Sequence, residues 1–307
     1  MVESVLRNAM RVLITGSGGF VGKHLTTYLT SKGFDVLGLD IVSGSDLQGD
    51  ISDQDYVFNV LSKESFDAVI HLAALADIRK TTEDPYSTYK VNCFGTLNLL
   101  ELASRKNVER FLYASSANVY GVPADRPATE ATPFNPRLPY DYSKVVSETL
   151  VRSYSIHKKL KISITRSWLL FGEWEPQTRA VPRFVRACLS NQKIPLFNSG
   201  RDVTDPTHAQ NYGRVAELIL TKDEAIGEAF NVGSGNKMSI REMAEIIKKV
   251  TNSSSELELL PPRTEFEKDP QISYPSVEKL RNRLGYEPIV SFETGVQRVV
   301  SWIKQYG

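Results

Sequence analysis

The sequence predicts an α/β fold, a doubly wound parallel sheet joined to a smaller α/β unit. Three observations predict it. Short, nearly continuous apolar runs alternate with helix-length amphipathic stretches. The first run, Arg11 to Thr15, ends in a glycine-rich turn, and the second ends on Asp40. Buried parallel strands read as continuous apolar runs because helices cover both faces of their sheet, and such strands need right-handed crossovers of helix length.

Taken in order, Arg-Val-Leu-Ile-Thr is the first strand, a helix follows from about Gly19 to Ser31, Gly33 stops it, and Phe34 to Asp40 is the second strand. The alternation continues with strand Ala68 to Leu72, helix Tyr86 to Arg105, strand Arg110 to Ser115, helix Tyr140 to Lys158 and strand Ile162 to Trp168. Beyond Trp168, Pro and Gly become frequent around 172–182 and 194–206, which marks a change of domain. The expected division is 10–168 for a first, sheet-centred domain and 169–307 for a second, smaller one. Segment 208–232, with a helix-like Gln210 to Thr221 and a strand-like Glu228 to Val232, returns to the first sheet. Further helices are expected at Ser239 to Val250, Ser276 to Leu284 and Phe292 to Gln305.

Composition narrows the function. The 307 residues carry 37 Lys+Arg against 36 Asp+Glu, a formal charge of +1, so no basic field exists to hold nucleic acid or an anionic membrane. With 41% hydrophobic and 24% charged residues the chain lies in the globular range. Two cysteines, Cys93 and Cys188, make no disulfide framework, and no metal site is expected. The longest apolar stretch, around Ala68 to Ala76, is about half of the roughly 20 residues a bilayer span requires. The first nine residues lack the apolar core of a secretory signal, so the expected location is the cytoplasm.

The turn Gly16-Ser17-Gly18-Gly19-Phe20-Val21-Gly22 sets glycines at GxxGxxG spacing. Glycine lets the backbone approach a pyrophosphate closely, and the next helix offers free N–H groups and a positive dipole end. Glycine turns of this kind also occur for packing alone; here the preceding strand, the following helix and Asp40 favour a dinucleotide. Asp40 is placed to accept hydrogen bonds from the adenosine ribose, although a strand-end Asp also caps turns. Ile41, Val42 and Ser43 bring no cation for a 2′-phosphate, so NAD is favoured over NADP. Asp50 either reaches the adenine or serves as an ordinary turn carboxylate.

Tyr140 and Lys144 stand four apart at the start of a predicted helix and share one face. A phenol ionises near pH 10, and a nearby ammonium favours its phenolate. A depression of about three units needs roughly 4 kcal/mol, within reach of a close Lys and a cationic nicotinamide ring in a partly buried site. Tyr142 is a competing base but has no Lys at i+4. The run Ser115-Ser116-Ala117-Asn118-Val119-Tyr120-Gly121 follows a strand, where the end of a parallel sheet faces the ligand crevice.

In their order and spacing, TGSGGFVG, LD, GDI, HLAA (71–74), VNCFGTLNLLE (91–101), SSANVYG, YDYSK and FNVGSG (230–235) resemble the extended short-chain dehydrogenase/reductase family. The likeness is to its nucleotide-sugar epimerases and dehydratases, and it covers nearly the whole chain from Met10. It implies a Rossmann-type domain and NAD as cofactor. Gly16, Gly19 and Gly22, with Phe20 and Val21 in the same turn, would hold the pyrophosphate. Asp40 would take the ribose, and Asp50 with Ile51 the adenine. Leu72, Ala73, Ala74, Ser115 and Trp168 would line the cofactor, with Asn92 supporting. The family pattern selects Ser116 over Ser115 as the catalytic hydroxyl, with Tyr140 as base and Lys144 as its partner. A homodimer through a helical bundle near 86–105 and 140–158 is also implied.

Departures from the family pattern narrow the reaction. Family dehydratases commonly carry an acidic pair after the position of Ser116; here stand Ala117 and Asn118, neither able to serve as that acid. A 4-epimerase is therefore expected, UDP-hexose its foremost substrate. An NAD(P)H-dependent 4-keto-sugar-nucleotide reductase, or a non-catalytic dinucleotide sensor on the same fold, is the alternative. Where the family reads R-x-F-N-x-x-G, this chain has Arg166-Ser167-Trp168-Leu169-Leu170-Phe171-Gly172, so an Asn contact to the sugar nucleotide becomes Leu169. Thr204-Asp205 replaces an expected Arg-Asp. Arg179, Arg201 and Arg263, with Asn118, are then the candidate substrate contacts, since a guanidinium grips phosphate through two charge-assisted bonds.

Overall fold

The β-branched Val12, Ile14 and Thr15 stiffen the strand Arg11–Thr15 (β1), and its side chains pack on both faces; all its residues but Arg11 are buried. In the computed structural model, which describes residues 9–123, 126–262 and 268–307, β1 lies inside a seven-stranded parallel sheet. Its other members are Asp35–Asp40 (β2), Leu47–Gln48 (β3), Ala68–His71 (β4), Arg110–Ser116 (β5), Ile162–Ser167 (β6) and, late in the chain, Ala229–Val232 (β11). The order β11-β6-β5-β4-β1-β2-β3 reverses direction at β1, the signature of double winding. Register aligns Thr15 with Leu39 on one side and with His71 on the other, so the ends of β1, β2 and β4 lie level.

The helices between these strands are Phe20–Ser31 (α1), Gln54–Asn59 (α2), Ile78–Glu83 (α3), Pro85–Tyr89 (α4), Gly95–Lys106 (α5) and Pro139–Lys158 (α6). Where the sequence predicts one helix over 86–105, the structure has α4, a π turn at Lys90–Phe94 and then α5. Helix α6 starts after Leu138 with Pro139 in its first turn, and the Asp141 carboxylate accepts the Arg137 and Leu138 N–H groups at 3.1 and 3.0 Å.

The chain divides into two compact units. The first comprises 1–115, 136–165 and 216–229; the second comprises 116–135, 166–215 and 230–307. The first unit's core joins Leu13, Leu37, Leu39, Val69, Leu99, Leu100, Phe111 and Ile164 across the sheet and its helices. Each such side chain contributes about 1.5–3 kcal/mol on burial.

Among the described residues, the second unit has three short two-stranded ribbons. Leu169–Phe171 (β7) pairs with Pro206–His208 (β10), Ile194–Leu196 (β8) with Leu257–Leu259 (β13), and Val203–Thr204 (β9) with Met238–Ser239 (β12). Its helices are Ala180–Leu189 (α7), Ile240–Thr251 (α9), Glu278–Leu284 (α10) and Phe292–Tyr306 (α11). Ala209–Thr221 (α8) runs from the second unit into the first. Helix α7 buries Val181, Phe184, Val185 and Cys188, spaced i, i+3, i+4 and i+7, against Met243, Ile247, Val299 and Ile303. Proline-rich sequence concealed it, yet Pro182 sits in its first turn, where a missing N–H costs nothing. Cys93 and Cys188 are free and buried. Among the described residues no helix is long and apolar enough to cross a membrane.

Candidate active site

The glycine turn connects β1 to α1 and is closed by contacts that admit no side chain. Gly16 has φ +77°, and a Cβ there would lie 2.8 Å from the Ala73 nitrogen; one on Gly22 would lie 2.1 Å from the Gly16 carbonyl oxygen. Helix α1 begins with no side-chain cap and no acid in its first turn, so its orphan N–H groups and positive dipole end are available to an anion. Gly19 caps it from an extended conformation, and Phe20 and Val21 are half-buried in its opening turn. Asp40 accepts the Gly18 N–H on Oδ2 at 2.9 Å and the Val42 N–H on Oδ1 at 3.2 Å. A carboxylate has about four acceptor sites, so the turn role and the ribose role coexist. Asp50 is exposed and caps its own turn, accepting the Ser52 N–H at 2.8 Å, while Ile51 is buried. Leu72, Ala73 and Ala74 are half-buried where β4 ends, and the Ser115 hydroxyl is buried without a hydrogen-bond partner. A close-packed cradle, an uncapped helix and an orphaned hydroxyl fit a dinucleotide.

A residue that sequence reasoning passed over connects this cradle to the helices behind it. The Thr96 hydroxyl donates to the Asn92 carbonyl, so its oxygen must accept from His71 Nε2, 2.9 Å away. Neutral His71 then accepts from the Thr15 hydroxyl on Nδ1 at 2.8 Å, and Thr15 Oγ1 in turn accepts the Ala73 N–H at 3.3 Å. The chain of donors requires an uncharged imidazole. Burial, aided by the Lys144 charge, pushes His71 down to about 3 and keeps it neutral. The HLAA motif contains this histidine, but only the threonines on β1 and α5 show what it does.

The π turn explains why Asn92 matters. Within this turn the Asn92 carbonyl accepts from the Thr96 and Ser147 hydroxyls. Its side chain accepts the Leu75 N–H at 2.8 Å and donates to the Leu75 carbonyl and to Ser143 Oγ at 3.0 and 2.9 Å. Asn92 thus fastens α6, through Ser143 and Ser147, to the chain leaving β4.

Tyr140 occupies the first turn of α6 and is 9% exposed; Lys144 lies one turn later and is 4% exposed. The Lys144 ammonium is 5.8 Å from the Tyr140 ring centre and 5.0 Å from that of Tyr113, and donates to the Ala114 carbonyl at 2.8 Å. Burial lowers Lys144 to about 8. Its charge is therefore held at a cost, which an adjacent phenolate would offset. Between pH 8 and 10.5 the unfolded chain holds the lysine proton and the folded chain releases it, so stability rises with pH through that window. Relative to Lys144→Met, the wild type should gain about 3 kcal/mol of unfolding free energy across it. Urea titrations of both proteins at a series of pH values check this; a pH-independent difference would contradict it.

The remaining candidates belong to the second unit. Ser116 ends β5 and caps a 3-10 turn, Ala117–Tyr120, its hydroxyl oxygen accepting the Asn118 N–H at 3.2 Å. Ala117 is buried and Asn118 exposed. Trp168 is buried, stacks on Tyr120 at 5.8 Å and donates its indole N–H to Ser273. Tyr120 itself is fixed by buried Arg166 and Asn231, at 2.6 and 2.8 Å from its hydroxyl. Arg179 is exposed and ion-paired with buried Glu175 at 3.0 Å, and burial raises Glu175 to about 7. Arg201 braces Asn198, whose backbone is left-handed. Arg263 lies outside the described residues.

Comparison with known proteins gives a consistent result. The profile of the "NAD dependent epimerase/dehydratase family" matches residues 12–233. A mouse dTDP-D-glucose 4,6-dehydratase is 30% identical, the match covering 97% of this chain and 89% of that one. A putative UDP-glucose 4-epimerase of Methanocaldococcus jannaschii is also 30% identical, over 95% of this chain and 98% of its own. The crystal structure of the UDP-glucose 4-epimerase of Thermotoga maritima, with UDP-glucose, superposes with a TM-score of 0.89 at 25% identity, covering 96% of this chain and 99% of that one.

Proposed function

The chain belongs to the NAD-dependent epimerase/dehydratase family of the extended short-chain dehydrogenases/reductases, and within it we propose that it is a nucleotide-sugar 4-epimerase, with a UDP-hexose as the foremost substrate. The carrying observation is Ala117. It fills, as a buried methyl group, a position next to Ser116 where a dehydratase needs a proton donor, and exposed Asn118 has no acidic proton either. Without that acid, water is not expelled, and a 4-keto hexose bound there is set up to take its hydride back.

When bound, NAD supplies reversible hydride acceptance; Gly16, Gly19, Gly22, Asp40 and Ser115 are the residues that would hold it. Tyr140, as phenolate, removes the proton of the sugar O4 and later returns it. Lys144 stabilises that phenolate, and its bond to the Ala114 carbonyl fixes where the ammonium stands. Ser116 donates to O4, since its oxygen is already accepting the Asn118 N–H. Asn92 and His71 keep α6 and the β4 exit in register. Arg179 and Arg201 are the proposed diphosphate contacts; each is exposed and already braced, which costs less ordering on binding than a free side chain. The proposed location is the cytoplasm. A homodimer is proposed through the α4–α6 face, where Tyr86, Phe94, Tyr142 and Val146 are 80%, 60%, 49% and 43% exposed.

The test is a panel of UDP-, dTDP-, GDP- and CDP-hexoses with products resolved by chromatography and mass. Epimers of unchanged mass, formed without net NADH, are expected. A product lighter by one water would replace this reading by dehydration, and stoichiometric NADH consumption with a keto sugar would replace it by reduction.

A further inference from the structure

Helix α11 presents two unlike faces. One, Phe292, Val296, Val299 and Ile303, is buried in the second unit's core. The other carries Gln297, Ser301, Trp302, Gln305 and Tyr306, and lines a cavity of about 390 Å³ together with Trp174 from the loop after β7. The cavity is a groove open to solvent, wide enough for one sugar ring to lie across it, and every lining residue belongs to the second unit.

The lining chemistry is unusual for a solvated helix stripe, which ordinarily carries Lys and Glu. Three aromatic side chains border the cavity: Trp174 is 37% exposed, Tyr306 67% exposed, and Trp302 is half-buried and tilted against Tyr306 at 6.1 Å. Between them stand amides and hydroxyls, neutral groups that both donate and accept. The charged residues of the lining are already engaged, Glu173 with His208 at 3.0 Å and Arg298 with Gln210. Trp174 also sits at φ +63°, a left-handed conformation that is strained for a bulky residue and is retained where the surroundings enforce it.

We propose that this cavity binds a neutral hexopyranose, such as a terminal sugar of a glycan, through residues that have no part in the proposed Tyr140 chemistry. A pyranose has an apolar face of C–H bonds, which carry partial positive charge and pack on the negative faces of indole and phenol rings. Its rim of hydroxyls needs neighbours that donate and accept at once, as Gln297, Ser301 and Gln305 do. The one carboxylate and the one guanidinium of the lining balance and are each bonded to a neighbour, which favours a neutral ligand, and a purely apolar one would strand the amides without partners.

The three tryptophans supply the test, because Trp174 and Trp302 border the cavity whereas Trp168 is buried with its N–H on Ser273. Methyl glucoside, methyl galactoside and maltose are titrated into the full chain while the indole N–H resonances are followed by NMR. Saturable movement of the Trp174 and Trp302 signals is expected with at least one of these sugars, with a millimolar Kd and the Trp168 signal still. Trp174→Gly, which relieves the backbone strain, and exposed Gln297→Ala should each weaken binding about tenfold. Non-saturable drift, equal movement of the Trp168 signal, or unchanged affinity in both variants would overturn the proposal. So would shifts on dilution that track self-association by sedimentation, since a second copy would then fill the groove. None of these side chains takes part in the proposed redox cycle, so failure here leaves that cycle untouched, and the reverse.

Discussion

Tyr140→Phe is expected to lower turnover by about 10²–10⁴-fold, the range removed with a general acid–base group, while the NAD that copurifies stays the same. One oxygen is deleted from a buried side chain, and the contacts that start and fasten α6 are made by other residues. Helix α6 is started by Pro139 and by the Asp141 carboxylate on the Arg137 and Leu138 N–H groups, and it is fastened by Ser143 and Ser147 to Asn92. Lys144 keeps its bond to the Ala114 carbonyl. The variant therefore separates chemistry from architecture. Released nucleotide, measured after denaturation, reports the cradle; chromatography of the sugar product reports the base. Tyr142→Phe is the control: Tyr142 is 49% exposed and has no lysine one turn later, and its loss should leave turnover unchanged. If Tyr140→Phe were as active as wild type, or if Tyr142→Phe carried the loss instead, the assignment of the base would fail.

How far a sequence shows such a site depends on the range of the interactions that build it. The Gly16–Gly22 turn, Asp40 and the Tyr140–Lys144 pair are local patterns, with the period of a strand or a helix and a chemical role that follows from residue type; these were legible. The His71 chain was not, because its members Thr15, Thr96 and Asn92 come from β1, α5 and the π turn, and each alone looks like an ordinary polar residue of its element. The π turn itself breaks no sequence rule, because Lys90–Phe94 has helix-compatible residues. In the second unit, β7 to β10 are strands of two or three residues, too short to establish a period of two. Asp205 was read there as one half of a replaced Arg-Asp pair. It is a buried carboxylate receiving the Ser234 and Gly235 N–H groups and the Ser234 and Thr207 hydroxyls, which locks the loop after β11 to β10.

Gly22→Ala should abolish copurification of NAD and lower stability by about 1–3 kcal/mol, the usual cost of forcing a methyl group into a packed interior. Gly22 is the third residue of α1, where alanine is otherwise the better helix former by up to roughly 1 kcal/mol, so propensity alone predicts the opposite sign. Space decides the outcome. The added carbon would lie 2.1 Å from the Gly16 carbonyl oxygen and 2.7 Å from Ser17 Cα, both backbone atoms of the cradle. Relief requires α1 to move away from the turn. That carries its free N–H groups off the position at which they and the dipole act on a pyrophosphate, an effect that falls off within the first turn of a helix. The turn has little room to follow, since the Gly16 and Ser17 N–H groups are bonded to the Leu39 carbonyl and Gly18 to Asp40. Thermal unfolding with and without added NAD tests both halves. Wild type should gain stability from the ligand by mass action, and the variant should start lower and gain nothing. A variant that unfolds at the wild-type temperature and still responds to NAD would show that the cradle is not the close-packed anion site described here.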